Sequence, residues 1–84
     1  MGYHKREIAP GVYGEISKIR EELEELEDSN EQGIFIMELC ELADLYGAIE
    51  GYAEKLGVSM DDLRQMNERT KEVFRDGTRT PRIP

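Results

Sequence analysis

Apolar residues recur along this chain at helical intervals, and no stretch alternates in the manner of a strand. From Glu15 to Asp28, Ile16, Ile19, Leu23 and Leu26 fall at i, i+3, i+7 and i+10, one stripe of a first helix. Asp28, Ser29 and Asn30 read as stop-and-cap residues, with Gly33 close behind. A second helix is predicted from Glu31 or Ile34 to Leu56, closed by Gly57 as a C-cap. Its apolar residues, among them Phe35, Ile36, Leu39, Leu42, Leu45, Tyr46, Ile49 and Tyr52, spread over most of the circumference. A helix apolar nearly all round is expected to be buried. Ser59 and Asp62 resemble a capping box opening a third helix. Leu63, Met66, Thr70, Val73 and Phe74 are its inner face, and it ends near Asp76-Gly77.

The fold class expected is therefore all-α: a three-helix chain whose bundle is completed by homo-oligomerisation. Three regions follow: an irregular N-terminal arm (1–13), a helical domain (14–77) and an extended tail (78–84). At 84 residues the chain is one domain with a thin core, since a chain this short buries only about 60% of its unfolded surface. A second copy is a common remedy, as dimer or tetramer.

Charge adds chemistry to this outline. The formal net charge is -8, which argues against a nucleic-acid polymer or an anionic membrane as partner. Cys40 is the one cysteine, so no internal disulfide forms and a reducing, cytoplasmic setting is the default. Residues 1–10 lack the apolar core of a signal peptide, and no apolar run is long enough to span a bilayer. Cys40 is read as a small buried hydrophobe, and His4 as a lone residue of the arm with no partner at ligand spacing.

Between Glu21 and Glu54 there are twelve acids and no Lys or Arg. Glu22 and Glu25 lie at i, i+3 on the first helix, and Glu41 and Asp44 do the same on the second. Such neighbours sit about 5–6 Å apart at Cβ, and packed helices lie roughly 8–10 Å apart. Two facing pairs would surround a space suited to one or two cations. The Glu22–Glu25 pair alone fits a solvated face. Glu41, however, falls in the apolar sector between Leu45, Ala48 and Tyr52, where a carboxylate costs several kcal/mol unless it is paired or metal-bound. Oxygen ligands of this kind favour Mg²⁺, with Mn²⁺ as an alternative.

Charge reverses after residue 54. Arg64, Asn67, Lys71 and Arg75 recur along one face of the third helix, and Arg79 and Arg82 follow. Such a stripe can clamp phosphate oxygens, or it can be neutralised within the helix by Glu68 and Glu72.

Glu21-Glu22-Leu-Glu-Glu25 followed by Glu38-Leu-Cys-Glu41-Leu-Ala-Asp44 resembles the paired EExxE and ExxD motifs of the MazG-like all-α nucleotide pyrophosphohydrolases. A looser likeness continues through Met66–Lys71 and Phe74–Arg79. The resemblance implies Mg²⁺-dependent hydrolysis of a nucleoside triphosphate to monophosphate and pyrophosphate. Glu22, Glu25, Glu41 and Asp44 would be metal ligands, and Glu21, Glu22 and Glu25 the catalytic carboxylates, with Glu21 placed to orient or deprotonate water. Lys18, Asn67, Lys71, Arg75 and Arg79 would bind the substrate. The chain departs from larger members in having three helices where the family fold completes four around each site. Tyr13, Tyr46 and Tyr52 could stack on a base, although core packing suits the last two better. Two other functions are open: a non-catalytic metal- and nucleotide-binding protein, and an acidic helical module for a basic protein partner.

Overall fold

The structure, a computed structural model, describes residues 4–75. The side chain of Phe74, residues 1–3 and residues 76–84, which include Arg79, lie outside the described part. Three helices follow one another: α1 (Ile16–Gln32), α2 (Phe35–Leu56) and α3 (Met60–Arg75), with no strand among the described residues. The all-α expectation therefore holds.

α1 runs one turn further than its polar run Asp28-Ser29-Asn30 suggested. Ser29 Oγ donates to the carbonyl of Glu25, 2.8 Å away and one turn back, and so stays compatible with helix. Asp28 is buried and receives bonds from outside the helix, so its side chain does not compete for the local backbone. The helix ends instead at Gly33, whose φ of 73° is the left-handed C-cap conformation that other residues resist. Only Gly33 and Ile34 separate α1 from α2, which makes the two an antiparallel hairpin. Ser59 and Asp62 exchange bonds at the start of α3, with Asp62 N–H to Ser59 Oγ at 3.0 Å and the return bond at 3.4 Å. The capping box is formed.

Packing is concentrated between α1 and α2, and α3 has no comparable contact with either. The radius of gyration is 15.3 Å, against about 12 Å for a compact chain of this length. The α1–α2 seam is polar. Its most deeply buried side chains are Glu41, Asp28 and Ser29, and the buried apolar residues are Ala48 and Ala53.

Several expectations of burial are corrected here. The α1 stripe is half-exposed at Ile16 and Leu23, because the face turned inward carries Glu22, Asp28 and Ser29. On α2, Phe35 remains 71% and Tyr46 57% exposed, alongside Ile36, Leu39 and Leu42. Two neighbouring helices, one barely touching, cannot cover a helix that is apolar all round. Tyr46 is thus not a core residue of the single chain, whereas Tyr52 is half-buried. Cys40 is exposed, not buried. On α3, Leu63, Thr70 and Val73 are partly covered but Met66 is exposed.

Among the described residues the N-terminal arm has no helix or strand, but it is not loose. Its residues 4–12 lie along α1. Gly11 donates its N–H to Glu21 Oε1 at 2.9 Å, and Val12 N–H reaches Ser17 Oγ at 3.0 Å. A Cβ at Gly11 would run into the backbone of Ser17 and come within 2.6 Å of Lys18 Cα. Gly11→Ala is therefore expected to lift the arm from α1 and cost about 1–3 kcal/mol. Thermal unfolding reads the loss, and faster amide exchange across residues 5–12 locates it.

Candidate metal centre

Glu22 and Glu25 face the second helix from adjacent turns of α1, and Glu41 and Asp44 face back from α2. The hairpin brings together the four carboxylates singled out from their spacing. One oxygen from each lies within 4.8 Å of the others. Glu41 is fully buried, in keeping with its place in the apolar sector of α2. The Glu22 side chain is 6% exposed, and its Oε1 accepts no hydrogen bond among the described residues.

Four carboxylates this close oppose one another's ionisation. Burial first, and then the charges of Glu22 and Glu41, push Glu25 up to about 7. Burial followed by the same two neighbours raises Asp44. Lys18 lies at the rim, with Nζ 3.0 Å from both Glu21 Oε1 and Glu22 Oε2. Its bonds to Glu22 and then Glu21 hold the ammonium firmly protonated, with its affinity for the proton raised. A groove of about 380 Å³ opens beside Glu22 and Asp44, and Tyr13 and Lys18 form part of its wall.

Glu21 lies between this cluster and the arm: its Oε1 accepts from Gly11 N–H and Lys18, and its carboxyl also meets Glu25. The Gly11 N–H, and after it Lys18, hold its carboxyl below the usual range. A carboxylate so stabilised is a weak base. Of the expected phosphate-binding residues, Lys18 alone adjoins the carboxylates among the described residues. Asn67 lines a groove with Tyr46 and Ile49 instead. Lys71 and Arg75 are exposed on α3, where Lys71 lies 3.9 Å from Glu68 and Arg64 2.8 Å from Asp61. Arg79 lies outside the described residues.

His4 is the residue that sequence reasoning passed over. It is not isolated. Its Nδ1 lies 2.8 Å from Asp28 Oδ2, and its Nε2 lies 3.3 Å from Glu41 Oε2 and 3.9 Å from Glu25 Oε1. Asp28 also receives the Lys5 N–H and the Gln32 amide. Burial works to raise Asp28, but the bonds from His4, Lys5 and Gln32 outweigh it and bring the carboxyl down to about 2. Arg6 grips Glu27 at 3.2 Å and Glu31 at 2.6 Å on the outer side of α1. A signal for this docking existed: His4-Lys5-Arg6 precedes a run of twelve acids with no internal base.

No helix among the described residues is long and apolar enough to cross a membrane. Comparison of the chain with protein-family models, curated proteins and solved structures gives no match.

The two shifted carboxyls have opposite consequences for stability. Asp28 is depressed, so its contribution is complete above its ordinary value of 3.8 and is lost as pH falls toward about 2. Glu25 is raised, so the metal-free fold binds a proton that the unfolded chain releases, and stability falls as pH rises from 4.5 through about 7. In EDTA the melting temperature is expected to decline across that upper window. Glu25→Gln should flatten the decline, and an unchanged slope in the variant would count against the clustered carboxylates as its cause.

Proposed function

We propose that the α1–α2 seam is a divalent-metal site and that the protein hydrolyses a nucleoside triphosphate to monophosphate and pyrophosphate. The observation that carries the metal reading is the convergence of Glu22, Glu25, Glu41 and Asp44, with Glu41 fully buried. Four acids so close call for compensating charge, and within the chain Lys18 reaches the Glu22 edge and His4 the Glu41 edge. All-oxygen ligands suit Mg²⁺, with Mn²⁺ able to replace it. The step from metal to nucleotide rests on the EExxE and ExxD pattern and its resemblance to MazG-like enzymes.

The residues divide the work accordingly. Glu22, Glu25, Glu41 and Asp44 hold the ion. The chemistry Mg²⁺ would supply there is neutralisation of phosphate oxygens and a more acidic water. Glu25 would accept a proton at the site, and Glu21 braces the arm and Lys18. Lys18, already at the rim, meets a phosphate oxygen. Asn67, Lys71 and Arg75 on the α3 of another copy, together with Arg79 of that copy, bind phosphate. The exposed apolar residues Phe35, Ile36, Leu39, Leu42 and Tyr46 are the surface on which such a homo-oligomer assembles.

A second function, metal and nucleotide binding without turnover, is favoured by one feature. The α3 cations of a single chain lie away from the carboxylates and close to acids of their own helix. Release of pyrophosphate from the common NTPs and dNTPs with Mg²⁺ or Mn²⁺ separates the two. Tight nucleotide binding without release would select the second.

Mg²⁺ at about 100 times its dissociation constant is expected to stabilise the fold by about 2.7 kcal/mol. An unmoved melting temperature would remove the metal and leave an acidic docking surface. Glu41→Gln should abolish the metal-dependent rise while leaving the metal-free melting temperature equal or higher, because it takes one charge from a cluster of four. For the assembly, Tyr46→Glu is expected to shift sedimentation from the oligomer toward the single chain.

A further inference from the structure

One nearly buried group beside the four-carboxylate cluster has no part in it so far. His4 is carried by the arm rather than by a helix, yet its side chain is only 9% exposed. Its Nε2, with one oxygen each from Glu25 and Glu41, forms a second set of possible ligand atoms, all within 4.8 Å of one another. The two sets share Glu25 and Glu41.

The opposite ring nitrogen decides how His4 presents itself. Asp28 Oδ2 already accepts the Lys5 N–H and the Gln32 amide, so it faces His4 as an acceptor, and Nδ1 donates to it at 2.8 Å. That leaves Nε2 directed at Glu41 and Glu25. Asp28 is itself fixed by the Lys5 N–H at 3.1 Å and the Gln32 amide at 2.9 Å. A histidine oriented through one nitrogen by a buried carboxylate, with the other facing ligand oxygens, is the arrangement that protein metal sites use to set tautomer and ring angle. In the adjoining four-carboxylate set, Glu22 has one oxygen held by Lys18, while its buried Oε1 accepts no hydrogen bond among the described residues.

We propose that His4 is a metal ligand through Nε2, joining Glu25 and Glu41, so that the docked arm gives the centre a nitrogen donor. The inference rests on the metal reading of the carboxylate cluster and deepens it. Imidazole favours borderline transition ions over Mg²⁺, so the arm biases the site toward Mn²⁺, Co²⁺ or Zn²⁺. Asp28 is a positioning residue in this account, since it reaches the ion only through His4.

His4 is the one histidine in the chain, which makes the test specific. The untagged full chain is prepared with ring-¹⁵N histidine, loaded with Mn²⁺ and studied by pulsed electron paramagnetic resonance. Coupling of Mn²⁺ to an imidazole ¹⁵N is expected, and its loss in His4→Gln. By calorimetry, His4→Gln should weaken Mn²⁺ and Co²⁺ about tenfold or more and leave Mg²⁺ within about twofold. The Mg²⁺ measurement also shows that the variant still forms the carboxylate cluster. If Mn²⁺ binds with no imidazole coupling and His4→Gln alters nothing, His4 is only an ion-pair partner of Glu41: the inference falls and the carboxylate site stands. If the unaltered protein binds no divalent ion by either measurement, the carboxylate reading itself fails and this one goes with it.

Discussion

The seam between α1 and α2 contains carboxylates where a helical hairpin normally places hydrocarbon. Glu41 is fully buried, Glu22 nearly so, and Glu25 and Asp44 close the group. Taking a charge out of water costs several kcal/mol per ion even after the protein relaxes. The apolar residues buried beside them are the small Ala48 and Ala53, which return little of that cost. The hairpin therefore depends on compensating charge, and the rest of the structure is arranged around supplying it.

Two sources of compensation lie within the chain. Lys18 reaches Glu21 and Glu22 from one turn back on α1. The arm brings His4 to Asp28 and Glu41, and Arg6 to Glu27 and Glu31. The arm is thus a structural part of the hairpin and the nearest cover over its acidic seam. Gly11 permits this, because its missing side chain lets the arm approach the first turn of α1 and place its N–H on Glu21. These contacts reach Glu22 and Glu41, while the partly covered Glu25 and the exposed Asp44 keep raised proton affinities. The unmet demand at the centre is what a divalent cation would satisfy.

The outer surface of α2 has the opposite need. Phe35, Ile36, Leu39, Leu42 and Tyr46 stand in water, and α3 covers little of them. An apolar face of this kind marks an interaction surface more often than a free one. The positions of Asn67 and Lys71 agree with a division of labour across copies, since neither adjoins the carboxylates of its own chain.

The local features of this protein were determined by the sequence alone. Helix number and type, the Gly57 end, the Ser59–Asp62 cap and the placement of two i, i+3 acid pairs on neighbouring helices all follow from spacings of a few residues. The anomaly of Glu41 was also visible, because its helical neighbours are apolar. Only the tertiary structure decided which faces were covered. It left Cys40, Phe35 and Tyr46 exposed, turned Glu22 inward and kept Asp28 within α1 rather than at its end. It also decided the role of His4, whose partner Asp28 lies 24 residues away. Helical periodicity carries information over a turn or two. It does not tell which stripe will find a partner, or that an irregular arm will be drawn onto a helix by charges the helix cannot neutralise itself.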